Sequence, residues 1–276
     1  MKTPISYYGG KQLLSSLIVG LIPKHRLYCE PFFGGGAVFF AKEPSDVEVI
    51  NDTNKDLINF YEVVKENFAA LEHEISLSLH SRDMHRQAEV IYSNPDMFGR
   101  VKRAWAVWML ANTSYGCRLD GSFGYDRKGS VSKKLDNKRE AFTEEYAKRL
   151  RKVQIECCDA IRIIKSRDTA DSFFYIDPPY VGSDQGHYDG YTQEDFDILL
   201  NLLDGIKGKF ILSSYRNTSL KKHILKNGWY TAEIRMHCSM TSNSSHAHGK
   251  IEVLTANFPF KLNLDGTQKK LISEED

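Results

Sequence analysis

Short apolar runs alternate with amphipathic segments through the first and last parts of the chain. The apolar runs predict buried strands at residues 26–30, 47–50, 153–157, 172–176 and 210–213. Segments with helical spacing follow them, and they predict helices at residues 12–22, 37–41, 55–67, 193–203 and 220–226. This βα alternation is typical of an α/β fold with a mostly parallel sheet, which residues 230–236 and 251–257 would close as an antiparallel pair.

The alternation stops between residues 68 and 151. Helical patterns are predicted there at residues 71–79, 84–91 and 101–111, and a polar, glycine-rich stretch covers residues 115–129. Asp120-Gly121 within that stretch is typical of a hairpin turn. We therefore expect one domain formed by residues 1–67 and 152–262, a mainly helical insertion with a β-hairpin at 68–151, and a tail at 263–276.

Asp177-Pro178-Pro179-Tyr180 follows the apolar run of residues 173–176. Two prolines cannot continue a central strand, so the chain must turn at this point. A carboxylate and an aromatic ring are thus presented at the carboxyl end of a strand, where open α/β sheets bind ligands.

A second turn follows the first predicted strand. Glu30-Pro31-Phe32-Phe33 leads into Gly34-Gly35-Gly36, and a helical segment comes next. This strand, glycine turn and helix indicate a nucleotide cradle, although glycine in such turns can serve the backbone alone. The dinucleotide pattern would need a further glycine at position 39, which is Phe39. We therefore expect an adenosine cofactor other than NAD.

Asp52 ends the second predicted strand and favours hydrogen bonds to ribose hydroxyls. The alternative is that Asp52 or Asn54 caps the helix that follows. Near the start of the chain, Lys11 stands beside two glycines and two tyrosines, and it could bind a ligand carboxylate or belong to an ordinary loop.

Charge is unevenly distributed, although the whole chain carries only +1. Residues 100–152 contain 14 Lys plus Arg and 6 Asp plus Glu, a net charge of +8, while the remainder carries −7. A basic middle on an acidic body is typical of a surface that binds a polyanion, the alternative being a solvated helical face. The predicted hairpin mixes cations with aromatic rings, which suits DNA contact, and its candidate residues are Arg118, Phe123, Tyr125, Arg127 and Lys128.

Composition excludes several classes of protein. No apolar run approaches the roughly 20 residues of a membrane span, and the first residues lack a signal peptide's apolar core. The five cysteines have no framework spacing, so we expect reduced thiols and a cytoplasmic location. His237, His246 and His248 have no cysteine or acid at ligand spacing, so no metal site is predicted. Residues 268–276 resemble the Myc epitope tag, and we assign them no function.

The Asp177 turn suits amino-group methylation. The exocyclic amine of adenine is a poor nucleophile because its lone pair is conjugated with the ring. A carboxylate and the Pro178 carbonyl can each accept one N–H bond and direct the lone pair at an electrophile. Methylation of cytosine C5 would need a cysteine nucleophile, and none of the cysteines follows a convincing site turn.

Four motifs in this order closely resemble the Dam-type adenine-N6 DNA methyltransferases. They are Tyr7-Tyr8-Gly9-Gly10-Lys11, Glu30 to Gly36, Asn51-Asp52-Thr53-Asn54 and Asp177-Pro178-Pro179-Tyr180. The resemblance implies a Rossmann-like catalytic domain interrupted by a target-recognition insertion, with double-stranded DNA as partner and S-adenosylmethionine as methyl donor.

The resemblance also implies roles for individual residues. The target adenine would be held by Asp177, Pro178, Pro179 and Tyr180. The cofactor would be contacted by Tyr7, Lys11, Asp52 and Asp177, with Asp159 near its adenine and the turn of Glu30, Phe32, Gly34 and Gly36 beside it.

The sequence departs from the family pattern in two places. Glu30 stands where many relatives have Asp, and the hairpin matches that of GATC-reading enzymes only loosely, so no recognition sequence is transferred. The alternatives are methylation of cytosine N4, whose usual motif begins with Ser, an RNA or glutamine amide substrate, and a DNA-binding relative without turnover. The sequence does not determine the oligomeric state, and it is compatible with a monomer.

Overall fold

A mixed β-sheet forms the centre of the molecule. The structure, a computed structural model, describes residues 1–181, 190–236, 250–262 and 272–274. The strands within these residues are β1 (Leu27–Glu30), β2 (Val47–Asn51), β3 (Gln154–Glu156), β4 (Ser172–Ile176), β5 (Lys209–Ser214), β6 (Tyr230–Met236), β7 (Lys250–Ala256) and the short β8 (Ile272–Glu274).

The strand order is β3-β2-β1-β4-β5-β7-β6-β8. Neighbours from β3 to β5 are parallel, whereas β7 lies antiparallel between β5 and β6. The order reverses at β1, which pairs with β2 on one side and β4 on the other. A crevice at the carboxyl ends of β1 and β4 is therefore the expected ligand site.

Helices cover both faces of this sheet. They are α1 (Ser15–Leu21), α2 (Ala37–Ala41), α3 (Lys55–Glu66), α4 (Phe68–Ser76), α5 (Arg82–Ser93), α6 (Arg100–Thr113), α7 (Ser130–Glu140), α8 (Glu145–Leu150), α9 (Ala160–Arg167), α10 (Gln193–Leu203) and α11 (Thr218–Asn227). Two 3-10 turns lie at Pro95–Met97 and Tyr115–Cys117.

Side-chain alternation along β4 explains why the sheet is buried on both faces. Phe173 and Tyr175 join the core on one face, with α3 and α6. Phe174 and Ile176 join the core on the other face, with α10. Successive strand residues point to opposite faces, so a continuous apolar run such as β4 fits a central parallel strand.

The segment inserted between α3 and β3 shares a core with the sheet. Trp108 of α6 is completely buried in the same hydrophobic cluster as Tyr28 of β1 and Phe60 of α3. The separate target-recognition domain expected for residues 68–151 therefore stays a prediction, because the packing is continuous across its boundary.

Buried ion pairs also join this segment to the sheet. Arg149 of α8 donates from Nη2 to Glu48 Oε1 of β2 at 2.8 Å, and Lys42 Nζ lies 2.6 Å from the same oxygen. A half-buried pair between Arg103 of α6 and Asp56 of α3, at 2.7 Å, joins the segment to the neighbouring helix. Because a buried charge is costly without a partner, these contacts fix the position of the inserted helices.

Two features of residues 114–150 differ from the sequence-based expectation. The sequence-based expectation included neither helix α7, whose sequence is almost wholly polar with only Leu135 buried, nor the short helix α8. The predicted hairpin is a loop closed by a single antiparallel bridge between Ser114 and Phe123 rather than by two extended strands. Gly121 lies in the tight turn, where an added Cβ would stand 2.9 Å from the Tyr115 carbonyl oxygen.

The remaining predicted strands and helices are confirmed, most within a few residues. In the tail, β8 pairs antiparallel with β6. None of the helices within the described part of the chain combines the length and hydrophobicity that a bilayer crossing demands. The three histidines discussed above lie outside the described residues.

Candidate functional site

Asp177 follows β4 directly and is held through one of its two oxygens. Lys11 Nζ lies 2.8 Å from Asp177 Oδ1, and the Tyr180 hydroxyl lies 3.0 Å from the same atom. Asp177 Oδ2 has no hydrogen bond to the residues that the structure describes. The Asp177 side chain keeps 18% of its surface exposed, against 9% for Lys11, so its free oxygen is available to a ligand.

A second carboxylate, Glu252 of β7, completes this cluster. The Tyr180 hydroxyl contacts Glu252 Oε1, and Lys11 Nζ lies 3.7 Å from that oxygen. Sequence reasoning missed Glu252, although an acid between apolar neighbours in a predicted strand was a usable signal. It reaches the site because β7 runs antiparallel, so its first residues lie beside the carboxyl ends of the parallel strands.

Lys11 owes its protonation state mainly to Asp177. Burial by itself would lower the pKa of Lys11, but the charge of Asp177, its hydrogen bond to Lys11 and the nearby carboxyl group of Glu252 together outweigh burial, and the pKa is raised. Lys11 is therefore a fixed positive charge at this edge of the sheet. Its nitrogen also lies 4.8 Å from the centre of the Tyr180 ring.

The glycine turn after β1 is shaped by two aromatic rings. Gly36 has a φ of 65°, and an added Cβ would stand 2.4 Å from the Phe33 ring. At Gly35 an added Cβ would stand 2.8 Å from Tyr7 Cβ. These positions need glycine for close packing and left-handed backbone, and the turn brings Tyr7 against the crevice.

Asp52 and Asn54 divide the two roles that the sequence left open. Asn54 is the cap of α3, since its side chain accepts from the backbone N–H groups of Asp56 and Leu57. Asp52 instead accepts from the Gly34 N–H at 2.9 Å and joins the ends of β1 and β2. Asp52 also accepts from the Asn54 N–H at 2.9 Å, so both of its oxygens are engaged by the backbone.

Glu30, at the end of β1, is almost completely buried and accepts from the Tyr28 hydroxyl. Burial raises the pKa of Glu30 to about 8, with the Tyr28 hydrogen bond and Lys42 opposing the rise and Asp177 adding to it. Glu30 thus lies close to the other site residues, but inside the protein rather than at the surface of the crevice.

We expect the free energy of unfolding to fall as pH rises from 4.5 to about 8 because of Glu30. Glu30 releases its proton near pH 4.5 when unfolded but only near pH 8 when folded, so the folded state binds more protons in this window. Glu30→Gln should flatten the dependence. Urea denaturation of both proteins across the window measures it, and equal slopes would contradict the assignment.

The remaining predicted cofactor residues border the same edge. Phe32 is half-buried, and its ring lies 6.1 Å from that of Tyr191. Asp159 is exposed and caps α9, accepting from the Arg162 N–H at 3.1 Å. Asn51, to which sequence reasoning assigned no role, donates to the carbonyls of Pro31 and Cys158 and so connects the ends of β1, β2 and β3.

A hollow lies beside the Asp177 turn. It is lined by residues that include Pro178, Tyr180, Ser214, Tyr215 and Asn217. The rings of Tyr180 and Tyr215 meet edge to face at 4.4 Å between centroids. The Ser214 hydroxyl is buried and has no hydrogen-bond partner among the described residues. Aromatic walls with a spare polar group suit a planar, polar ligand.

The predicted DNA-binding residues lie in the loop between α6 and α7, and they differ in their exposure and in their ion pairs. Arg127 and Lys128 are exposed and make no ion pair with a described residue. Arg118 pairs with Asp120 at 3.0 Å. Asp126 accepts the Lys128 N–H at 2.7 Å, and its hydrogen bonds at the start of α7 hold its pKa well below the usual range.

The aromatic residues of this loop also differ from each other. The Phe123 ring stacks on His80 at 4.7 Å between centroids, with the Arg82 guanidinium 4.9 Å from its centre. Phe123 is therefore a packing residue in this state. Tyr125 and Tyr115 expose 70% and 71% of their surface and are the accessible rings.

Many other basic residues of the middle region already have acidic partners. Arg100, Lys102 and Lys148 pair with glutamates, and Arg103 and Arg149 with the acids named above. Exposed cations of this region without an acidic partner among the described residues lie around the start of α7 and just after α8, and they are Arg127, Lys128, Lys133, Lys134, Arg151 and Lys152. Within the described residues no cluster of potential metal ligands was found.

Residues 7–241 match the family described as D12 class N6 adenine-specific DNA methyltransferase. The chain belongs to this family. The match confirms the resemblance, the enzymatic function and the α/β fold predicted from the sequence. The protein is a site-specific DNA methyltransferase that acts on adenine N6, and the family implies S-adenosylmethionine as the methyl donor and DNA as the substrate.

Individual relatives agree with this family membership. The chain is 29% identical over 240 residues to the type II methyltransferase M1.LlaDCHI of Lactococcus lactis, covering 79% of this chain and 82% of that protein. It is 31% identical over 223 residues to the type II methyltransferase M.MjaIII of Methanocaldococcus jannaschii, covering 71% and 75%. The DNA adenine methylase of Vibrio cholerae is 28% identical over 185 residues, 64% of each chain.

Proposed function

We propose that this adenine-N6 methyltransferase acts on an adenine flipped out of double-stranded DNA, at the Asp177 turn. The observation that carries the proposal is the free Oδ2 of Asp177, at the carboxyl end of β4, beside a carboxylate oxygen already bound by Lys11 and Tyr180. A base inside a duplex cannot reach such a recessed group, so it must leave the stack.

Asp177 Oδ2 and the Pro178 carbonyl would accept the two N–H bonds of the adenine amine. Accepting both bonds localises the nitrogen lone pair and disperses the positive charge that develops on the nitrogen during transfer. Lys11 and Tyr180 keep Asp177 in one orientation beforehand, so the acceptor needs no reorganisation when the base arrives.

The hollow beside the turn is our candidate for the base pocket. Tyr180 and Tyr215 supply aromatic faces, and Ser214 supplies a buried hydroxyl that a base edge could satisfy. Because a buried polar group without a partner is costly, a base that hydrogen-bonds Ser214 would gain binding free energy there.

The residues of the crevice fit an adenosine cofactor that carries a sulfonium cation. Asp52 lies at the end of β2, the glycines at Gly34–Gly36 allow close approach of the backbone, and Asp177 supplies negative charge. Tyr7, Phe32 and Asp159 would border the same cofactor, with Glu30 buried behind them. When bound, S-adenosylmethionine would supply an electrophilic methyl group, and no metal is required by this chemistry.

The loop between α6 and α7 is our candidate for the DNA-contacting surface. Arg127 and Lys128 would bind phosphates, Arg118 would do so after leaving Asp120, and Tyr125 is exposed enough to contact bases. Phe123 would support the loop from beneath.

We retain residues 68–151 as the target-recognition segment and a monomer as the working state. The free thiols of Cys29, Cys117, Cys157 and Cys158 support the expected reducing cytoplasm.

Mass spectrometry of nucleosides tests this function. Unmethylated plasmid DNA is incubated with the protein and S-adenosylmethionine, with Asp177→Ala as control. N6-methyladenine only with the intact protein is expected, and sequencing of the product then gives the recognition site. N4-methylcytosine would keep the mechanism and change the base, whereas no methylated base in DNA that is still bound would favour an RNA substrate or a non-catalytic role.

A further inference from the structure

We propose that Glu252 is a positioning residue of this site, which acts as a neutral carboxylic acid that fixes Tyr180 and, through Tyr180, the catalytic Asp177. The inference rests on the proposed function of Asp177. It concerns a residue 75 positions beyond Asp177 in the chain, on the antiparallel strand β7.

The partners of Glu252 distinguish it from the scaffold ion pairs. Its side-chain partners include Tyr180 and Lys11, which lie at the carboxyl edge of the sheet. Glu48, a comparably buried carboxylate, pairs instead with Lys42 and Arg149, away from the crevice. A buried acid has to be compensated by its neighbours, and for Glu252 those neighbours include the site residues Tyr180 and Lys11.

The number of protons in the cluster indicates the state of Glu252. The Tyr180 oxygen contacts both Asp177 Oδ1 and Glu252 Oε1, but a phenol has one proton to donate. The second contact therefore needs a proton from one of the carboxyl groups. Lys11 Nζ lies 2.8 Å from Asp177 and 3.7 Å from Glu252, so the ionised carboxylate is Asp177.

The electrostatic surroundings agree with this assignment. Burial raises the pKa of Glu252, the charge of Lys11 opposes the rise, and the charge of Asp177 adds to it. The resulting pair of hydrogen bonds runs from the Glu252 O–H to the Tyr180 oxygen, and from the Tyr180 O–H to Asp177 Oδ1. With Oδ1 engaged by Tyr180 and Lys11, Oδ2 is left for the substrate amine.

Single-turnover methylation of plasmid DNA by Glu252 variants tests this role. Glu252→Met removes both the donor and the acceptor at similar volume, and we expect about 100-fold slower transfer because the acceptor loses its orientation. Glu252→Gln keeps an N–H donor and should stay within about threefold of the parent. DNA affinity, measured by fluorescence anisotropy, should be unchanged in both variants.

A double-mutant cycle identifies the route of the effect. Tyr180→Phe removes the hydroxyl that links the two carboxyl groups, so adding Glu252→Met to it should cost little more, a non-additive result. Glu48→Gln is the matched control, since it alters a buried carboxylate outside the site. We expect it to lower the Tm and leave the methylation rate unchanged.

Three outcomes would overturn the proposal. They are Glu252→Met with a rate within about threefold of the parent, Glu252→Gln slowed as much as Glu252→Met, or fully additive effects in the cycle. If Glu252→Met does not fold, the methylation rate of Tyr180→Phe tests the proposal instead. An unchanged rate without the Tyr180 hydroxyl would show that Glu252 does not act on Asp177 through Tyr180. Failure of the proposed function would differ, since Asp177→Ala would then retain activity or the parent would have none.

Discussion

Asp177→Ala is expected to slow methylation by about 1000-fold or more, because it removes the oxygen that we propose accepts the adenine amine during transfer. The affinity for DNA should stay largely intact, since phosphate contacts outside the crevice supply most of it. Single-turnover rates and anisotropy titrations on the same DNA measure the two quantities separately. Equal loss of both in a folded variant would mean that Asp177 serves binding rather than transfer.

The other end of β4 offers a matched control. Asp171→Ala makes the same change of charge at an exposed position just before Ser172, at the opposite edge of the sheet. It should retain full methylation. Asp177→Asn should lie between the parent and Asp177→Ala, because an amide oxygen can still accept one N–H bond but carries no charge.

Neutralising Arg118, Arg127 and Lys128 to Gln is expected to weaken DNA binding on the order of 100-fold at 0.15 M salt. Each phosphate contact contributes about 0.9 to the slope of log affinity against log salt, so the slope should flatten by two to three. Arg118 should contribute least, because Asp120 already neutralises it. Anisotropy titrations between roughly 0.05 and 0.3 M salt measure the slope.

A second triple variant separates local contact from net charge. Arg100→Gln, Lys102→Gln and Lys148→Gln remove the same charge from residues that pair with glutamates. Its salt slope should match that of the parent. If both triple variants flatten the slope equally, the loop between α6 and α7 is not the DNA surface.

Both predictions assume that catalysis and DNA binding are carried out by two different regions, which share one hydrophobic core. The crevice at the β1–β4 reversal would carry the chemistry, and the loop after α6 would carry the contact with DNA. Because α6 packs on α3 and Arg149 is buried against Glu48, the two regions are held rigidly by ordinary packing. A change in DNA contact can therefore be made without disturbing the crevice.

The sequence by itself determined the elements and the edge at which the site lies. Apolar runs, helical spacing and breakers such as Pro178 are local signals, and local sterics and burial act within a few residues. Parallel strands then bring the residues that follow them to one edge, which is why Asp52 and Asp177 stand out in the sequence by itself, whereas the role of Asp159 came only from the family resemblance. The hydrogen-bonded Glu252 does not stand out, because its strand has no turn motif.

Only the tertiary structure decided which candidates are free to act. The register of β7 against β5 brings Glu252 to Tyr180, packing against His80 engages Phe123, and glutamates from α3 and α4 engage Arg100 and Lys102. These pairings join residues far apart in the chain, and they depend on strand register and helix packing rather than on local pattern. A count of charges therefore indicated a basic region, but only the folded structure shows which of its cations lack an acidic partner and can bind DNA.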